Sequence, residues 1–402
     1  MIKVAVLGYG TVGSGVVEVI QDNNDLICQR IGSEIEVKYI LDLRDFPGDK
    51  NEHLVVHDVK SIMEDPEIDI VCETMGGAGA AYEFTKQALT AGKSVCTSNK
   101  ELVEKYGPEL LALARKNGCN YQFEASVGGG IPIIRPMNTS LAPECIESIK
   151  GILNGTTNYI LTKMAAEGAA YEDVLKQAQD LGYAELNPEA DVEGHDAGRK
   201  IAILASLMTG KTVRYEDIHL EGITGIDAVD FAFAKALNKS IKLIARADRA
   251  SDGSLTAFVA PHMLGADHPL GRVDDVFNAV FVTGNMLGDI MFYGKGAGKL
   301  ATASAVVSDV IELARAKMAG YALPCIWAED KVILKSYDEI KGCFLIRVKE
   351  DEAGRLAGAV SGISEAAKVS GYVGYKIEGI SEKALKEALA STGLQAKVIR
   401  ME

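Results

Sequence analysis

Residues 2–22 read IKVAVLGYGTVGSGVVEVIQD, and the fold turns on this stretch. A short apolar run rich in β-branched side chains ends at Gly8 and gives way to a helical pattern. Between the two, Gly8, Gly10 and Gly13 stand in the spacing G-x-G-x-x-G. The first glycine permits a tight turn, the second lets backbone approach a pyrophosphate, and the third lets the helix pack close to the strand. The helix N-terminus attracts the phosphate charge. Strand, turn and helix in this order predict the opening βαβ unit of a dinucleotide-binding sheet.

Outward from this start, the runs EVKYILD (36–42), DIVCET (69–74) and SVCTS (94–98) alternate with helical patterns. The chain to about residue 140 therefore reads as βαβ units in a parallel sheet. At the end of the second run, Asp42 offers a carboxylate to the ribose of NAD, and Arg44 offers a guanidinium to the 2′-phosphate of NADP. The two residues leave the choice between NAD and NADP open. Asp42 lies farther beyond Gly13 than the usual ~20 residues, which predicts an insertion around DLICQRIGS (25–33).

The middle of the chain changes character. Amphipathic helical patterns at 171–182 and 200–210 interleave with strand-like runs SIKGILNGT (148–156), LTAFVAP (255–261) and NAVFVTG (278–284). Residues 141–294 are expected to form an α+β domain for substrate and subunit contact. The helical run 301–317 suggests that residues 295–336 return to the first domain, covering an open sheet face. From about Tyr337 the order strand, helix, strand, strand, helix, strand is ferredoxin-like. The expected fold class is thus α/β: a Rossmann-type domain over 1–140 completed by 295–336, an α+β domain over 141–294, and a small ferredoxin-like domain over 337–402.

Composition narrows the function. A formal charge of -14 and pI near 5.1 argue against a nucleic-acid partner. The seven cysteines never form a C-x-x-C pair and are read as small buried residues, and the histidines lack metal spacing. No run approaches the length of a membrane span, and the first apolar run passes directly into the glycine turn, unlike a signal peptide. A cytoplasmic protein is expected.

The segment AQDLGYAELNPEADVEGHDAGRK (178–200) concentrates ionisable groups around a helix entry. Asp196 and Lys200 lie four apart and share a helix face, as an acid–base pair requires. Asp191 stands near the helix start and Glu185 on the preceding loop, where side chains turn toward a substrate. This segment resembles the signature of homoserine dehydrogenases, with Asn187-Pro188, Asp191, Gly194, Asp196 and Lys200 at that family's spacing. CETMGG (72–77), SNK (98–100), EASVGGGIPIIRPM (124–137), GILNGTTNYIL (151–161) and GKGAGKLATASAVVSDV (294–310) carry the same resemblance. It runs from Met1 to about Tyr337, and the tail resembles the ACT domain that many members carry.

The resemblance implies NAD(P)-dependent interconversion of L-homoserine and L-aspartate 4-semialdehyde, within threonine, methionine and isoleucine biosynthesis. It implies that Glu185 and Asp191 bind the substrate's amino and hydroxyl ends, that Lys200 transfers the proton, and that Asp196 supports Lys200. Lys100 would touch nicotinamide and substrate as a second candidate acid. Gly8, Gly10, Thr11, Val12, Gly13, Asp42, Arg44, Thr74, Lys100 and Gly296 would contact the cofactor. Glu124 and the carbonyls of Val127, Gly129 and Ile131 would hold a monovalent cation, sodium or potassium; a glycine-rich turn positioning the domain junction is the alternative. A homodimer through the middle domain is expected, motivated also by the apolar run NAVFVTG. The tail departs from the ACT pattern, with Ala353 where proline is common, so sensing of an amino acid such as L-threonine and a purely structural role both stay open. The competing readings are another dehydrogenase of amino-acid metabolism and an effector-binding regulator with an inactive oxidoreductase half.

Overall fold

The run that opens the chain is β1 (Ile2–Leu7), whose Val4, Val6 and Leu7 are completely buried. The computed structural model describes all 402 residues, the side chain of Ala359 excepted, in two compact units. The first comprises Met1–Glu144, Ala202–Arg214 and Gly294–Lys331; the second comprises Cys145–Ile201, Tyr215–Tyr293 and Val332–Glu402.

In the first unit, β1 is followed by α1 (Thr11–Asp22), α2 (Asn24–Ile31), β2 (Ile35–Leu41), β3 (Val55–Val56) and α3 (Lys60–Met63). Next come β4 (Ile70–Glu73), α4 (Gly79–Thr90), β5 (Ser94–Thr97), α5 (Lys100–Lys116), β6 (Tyr121–Gln122) and α6 (Ile134–Asn138). The six strands form one parallel sheet in the order β3-β2-β1-β4-β5-β6. The strand order reverses between β1 and β4, so the crevice beyond their C-terminal ends is the switch point where such sheets bind ligands. The insertion around residues 25–33 is the extra helix α2, which ends at Gly32 in the left-handed region. The helix Lys299–Ala319 lies against α1, and Val306, Val310 and Leu313 complete the core built by Val16, Val17 and Ile20. A Cβ on Gly15 would sit 3.0 Å from Ala303 Cβ, so the glycine is what admits this contact.

The second unit is built on a mixed sheet that begins with β7 (Ile146–Ile152) and carries α7 (Gly155–Glu167), α8 (Tyr171–Asp180) and α9 (Glu189–Val192). The helix α10 (His195–Thr209) starts in this unit. Across the sheet the strands run Gly288–Lys295, Phe277–Gly284, β7, Lys239–Arg249, Leu255–Gly265, Lys397–Met401, Lys341–Lys349, Tyr372–Ser381 and Ser364–Val369. The long strand Lys239–Arg249 is absent from the sequence expectations, because Lys242, Arg246 and Asp248 interrupt its apolar pattern. The two cations find partners across the fold: Lys242 Nζ donates to Val273 O at 2.6 Å and Asp274 Oδ1 at 2.9 Å, while Arg246 binds Asp248 and Glu402.

The run NAVFVTG needs correction as a motive for dimerisation. Its strand pairs with β7 on one side and with Gly288–Lys295 on the other, so the chain covers it itself. The outer edge is Gly288–Lys295, which exposes Met291 and Tyr293.

The tail has the strand and helix order read from the sequence, with helices Ala353–Ala359 and Glu382–Thr392 and the sheet order fourth, first, third, second. Its last strand also joins the earlier sheet in parallel, with His262 opposite Arg400 and Met263 opposite Met401. Arg347 and Lys397 bind Asp227 and Asp230, which form the capping box of the helix Ala228–Ala236. The cysteines are unpaired, but the expectation of burial holds for Cys72, Cys96 and Cys119 only; Cys145 is exposed and the other three are half-buried. Among the described residues no helix is long and apolar enough to cross a membrane.

Candidate active site

The glycine turn has the shape its spacing implies. Gly8 adopts φ +93° and donates to Leu41 O at 2.8 Å, joining the turn to β2. A Cβ on Gly13 would fall 1.8 Å from Gly8 O, so no side chain fits where α1 meets β1. Gly10 occupies the N-cap of α1 without a side chain, and Thr11 and Val12 open the helix. Its first N–H groups therefore face the switch point uncapped by any side chain, as a pyrophosphate site requires. Thr74 Oγ1 donates toward Leu7 O at 2.9 Å and Gly8 O at 3.0 Å, which clamps the turn from the end of β4. These residues fit a dinucleotide.

At the end of β2, Asp42 and Arg44 are joined to each other. Arg44 Nε and Nη2 donate to the two oxygens of Asp42 at 3.0 Å each, and Tyr9 N adds a third bond at 2.9 Å. Arg44, and behind it the Tyr9 N–H, hold the Asp42 carboxyl well below the usual carboxylate range. Carboxylate and guanidinium are thus presented as one pair. Lys100 is the first residue of α5, next to Asn99, whose side chain caps that helix by accepting from Leu102 N at 3.0 Å.

In the second unit, Asp191, Asp196 and Lys200 come together. Lys200 Nζ donates to Asp196 Oδ2 and to Leu153 O, both at 2.7 Å. Asp196 is 5% exposed and Lys200 9%, so this is a buried ion pair and not a solvated helix bridge. Asn154 joins the group: its Nδ2 donates to Asp191 Oδ1 at 2.7 Å and to Asp196 Oδ2 at 3.0 Å. Its Oδ1 meanwhile accepts from Thr157 N at 2.8 Å and so caps α7. Asn154, within GILNGTTNYIL, is not among the residues expected at the site from the sequence. The available signal was an asparagine at a helix entry, directly after a strand, in the same resemblance-bearing segment. Gly194, at φ +83°, makes the turn between α9 and α10 that brings Asp191 and Asp196 to one amide. Glu185 stands apart on the exposed turn after α8, where Gln179 Nε2 holds its backbone carbonyl at 3.0 Å.

Glu124 is buried, and its carboxylate accepts from Ile133 N at 2.6 Å, Ile134 N at 2.9 Å and Arg135 N at 2.6 Å. Burial pushes this carboxyl up against the pull of those N–H groups. Gly129 packs onto Gly296, whose carbonyl oxygen would lie 2.3 Å from a Cβ on Gly129. Both Glu124 oxygens are thereby engaged by backbone N–H groups, and Val127, Gly129 and Ile131 lie in the buried loop that follows.

A glycine turn built for a pyrophosphate at the switch point of a parallel sheet, together with a buried carboxylate–lysine pair, defines the class as a nicotinamide-dinucleotide-dependent oxidoreductase. Residues 8–124 match the family model for the homoserine dehydrogenase NAD binding domain, and residues 132–311 match that for homoserine dehydrogenase. The chain belongs to the homoserine dehydrogenase family. It is 42% identical to the homoserine dehydrogenase of Bacillus subtilis over 371 residues, covering 90% of this chain and 85% of that one. With the Synechocystis homoserine dehydrogenase it shares 48% over 317 residues, or 78% and 73% of the two chains. The crystal structure of a homoserine dehydrogenase from Thiobacillus denitrificans superposes with a TM-score of 0.89 at 35% identity, covering 100% of this chain and 98% of that one. A hyperthermophilic archaeal homoserine dehydrogenase in complex with NADPH gives 0.67 at 29% identity, covering 81% and 99%.

Proposed function

We infer that this chain reduces L-aspartate 4-semialdehyde to L-homoserine with NAD(P)H and catalyses the reverse oxidation. The observation that carries the reading is the cluster of the buried Asn154, Asp196 and Lys200 with the half-buried Asp191 in a member of this family. The bound nicotinamide supplies the hydride that the aldehyde carbon accepts. The aldehyde oxygen then carries negative charge and needs a proton in the same event. Lys200 spends two N–H donors on Asp196 and Leu153, which aims the remaining one. Asp196 is the group that orients Lys200, and Asn154 joins Asp196 and Asp191 by donating to both. Glu185 and Asp191 are assigned to the amino and hydroxyl ends of the substrate, and Lys100 to the nicotinamide end as a second acid.

The Asp42–Arg44 pair supports acceptance of both cofactors, with a carboxylate for a ribose diol and a guanidinium for a 2′-phosphate. The carbonyls of Val127, Gly129 and Ile131 are assigned to a sodium or potassium ion, with Glu124 supplying charge from its place over the start of α6. The tail is assigned an ACT-like role, binding an amino acid such as L-threonine. A homodimer is proposed through the exposed edge strand Gly288–Lys295, where Met291 and Tyr293 leave apolar surface to cover. The deciding test follows NAD(P)H oxidation with L-aspartate 4-semialdehyde beside oxaloacetate plus ammonia. Turnover confined to the semialdehyde supports the reading, and turnover confined to the other substrates overturns it.

A further inference from the structure

Glu73 closes β4 and Thr97 closes β5, facing each other across the parallel pair, and both are completely buried. Thr97 Oγ1 donates to Glu73 Oε2 at 2.5 Å, and Met75 N donates to Glu73 Oε1 at 2.7 Å. Thr97 Oγ1 in turn accepts from Asn99 N at 2.9 Å. Asn99 caps α5 with its Oδ1 and reaches back with Nδ2 to Gly77 O at 2.7 Å, tying the turn after β5 to the loop after β4. The next residue is Lys100. A line of hydrogen bonds therefore connects a buried carboxyl to the turn that presents the candidate acid of the first unit.

A carboxyl is a costly way to fill a closed sheet edge, since burial disfavours its charged form. Yet Met75 N can only donate and the Thr97 hydroxyl is placed to do so, a pattern that the acceptor-only, ionised carboxylate satisfies in full. We propose that Glu73 is a positioning residue for the reaction: through Thr97 and Asn99 its ionised carboxylate fixes the turn that carries Lys100 and the facing Met75–Gly77 loop. The proposal rests on the reading of the chain as a reductase in which Lys100 acts at the nicotinamide end.

The two demands on Glu73 meet near neutrality, because burial, opposed by the bonds from Thr97 and Met75, pushes its carboxyl up to about 7. The ionisable groups that sense it on the neighbouring strands are the Cys96 thiol on β5 and the Tyr121 phenol on β6, both raised by burial and so neutral at this pH. Cys72, beside it on β4, lies 3.6 Å from Cys96 through their sulfurs, and Asp309 of the helix Lys299–Ala319 acts on Cys96. When Glu73 takes a proton, its O–H donates to the Thr97 hydroxyl, which also accepts from Asn99 N. The buried Thr97 hydrogen then loses its acceptor and the charge-assisted bond becomes a neutral one, which weakens the tie to the Lys100 turn.

The test compares wild type, Glu73→Gln and Thr97→Val as full-length proteins, measuring kcat and KM for L-aspartate 4-semialdehyde from pH 5.5 to 8.5. NADPH affinity by fluorescence titration and the melting temperature are recorded alongside. The wild-type kcat should fall on the acid side with an ionisation near neutrality. Glutamine imitates the protonated carboxyl, so Glu73→Gln should lose about tenfold in kcat at pH 8, the equivalent of one hydrogen bond to a charged group, and should lose that acid limb. Thr97→Val should do the same by cutting the link, with NADPH affinity retained in both. Wild-type kcat and an unmoved acid limb in the two variants overturn the proposal. So does a loss that tracks melting temperature and NADPH affinity while the limb stays in place. A wild type without turnover on the semialdehyde overturns the functional reading, and this proposal falls with it.

Discussion

Replacing Asn154 by serine isolates what its amide does. Serine caps a helix about as well as asparagine, so the start of α7 should survive the change. The shorter side chain loses the donors to Asp191 Oδ1 at 2.7 Å and Asp196 Oδ2 at 3.0 Å. Hydrogen bonds to charged groups are worth about 1.5–3 kcal/mol each, and every 1.4 kcal/mol off the transition state is about tenfold in rate. If only the bond to Asp196 is felt in proton transfer, kcat should fall by about tenfold; if both carboxylates drift, by about a hundredfold. The melting temperature should move by no more than a few degrees, because the cap and the Lys200–Asp196 pair remain. Steady-state kinetics in both directions, with calorimetry on the same samples, make the comparison. Wild-type kcat and KM in Asn154→Ser would refute the claim that this amide orders the acid cluster.

Four further outcomes are expected. Gly13→Ala places a Cβ 1.8 Å from Gly8 O and 2.7 Å from Thr74 Oγ1, so NADPH titration should show more than tenfold weaker binding, with about 1–3 kcal/mol of lost stability. Burial holds His262 down to about 4, whereas an unfolded histidine takes its proton near 6.5. Between those values the unfolded state binds more protons, so stability falls as pH drops, by up to about 3 kcal/mol, and His262→Gln should flatten that slope in urea titrations. Removing residues 337–402 strips the strand paired to Leu255–Gly265 and the partners of Asp227 and Arg246, so the shortened chain should aggregate or melt early. L-threonine sensing is therefore tested on the full chain, where a threonine-dependent change in rate is expected; a soluble, active truncation would contradict the first expectation and a flat response the second.

The first sheet was legible because its signals are local. The glycine spacing, the β-branched runs and the strand–turn–helix order of residues 2–22 each constrain neighbours along the chain. The insertion before β2 was legible from spacing alone and proves to be α2. The second sheet was less so. Its strand Lys239–Arg249 carries charges that long-range partners neutralise, among them Glu402 far along the chain, and no local pattern announces such partners. The union of the tail with the same sheet is likewise a pairing between distant segments. At the site, the four-residue spacing of Asp196 and Lys200 could be read directly, whereas Asn154 joins them from 42 residues away. Glu73 gave no signal, since a lone acid at a strand end says nothing of burial.

The central claim is that Lys200, held by Asp196 in the second unit, delivers the proton as the aldehyde is reduced. The most direct measurement is the rate of NADPH oxidation with saturating L-aspartate 4-semialdehyde for wild type and Lys200→Ala, each paired with an NADPH fluorescence titration. The account predicts turnover in the wild type and a loss of about 10²–10⁴-fold in the variant, the usual range for removing a general acid, with NADPH affinity unchanged because the glycine turn is untouched. Turnover of Lys200→Ala at the wild-type rate would contradict it.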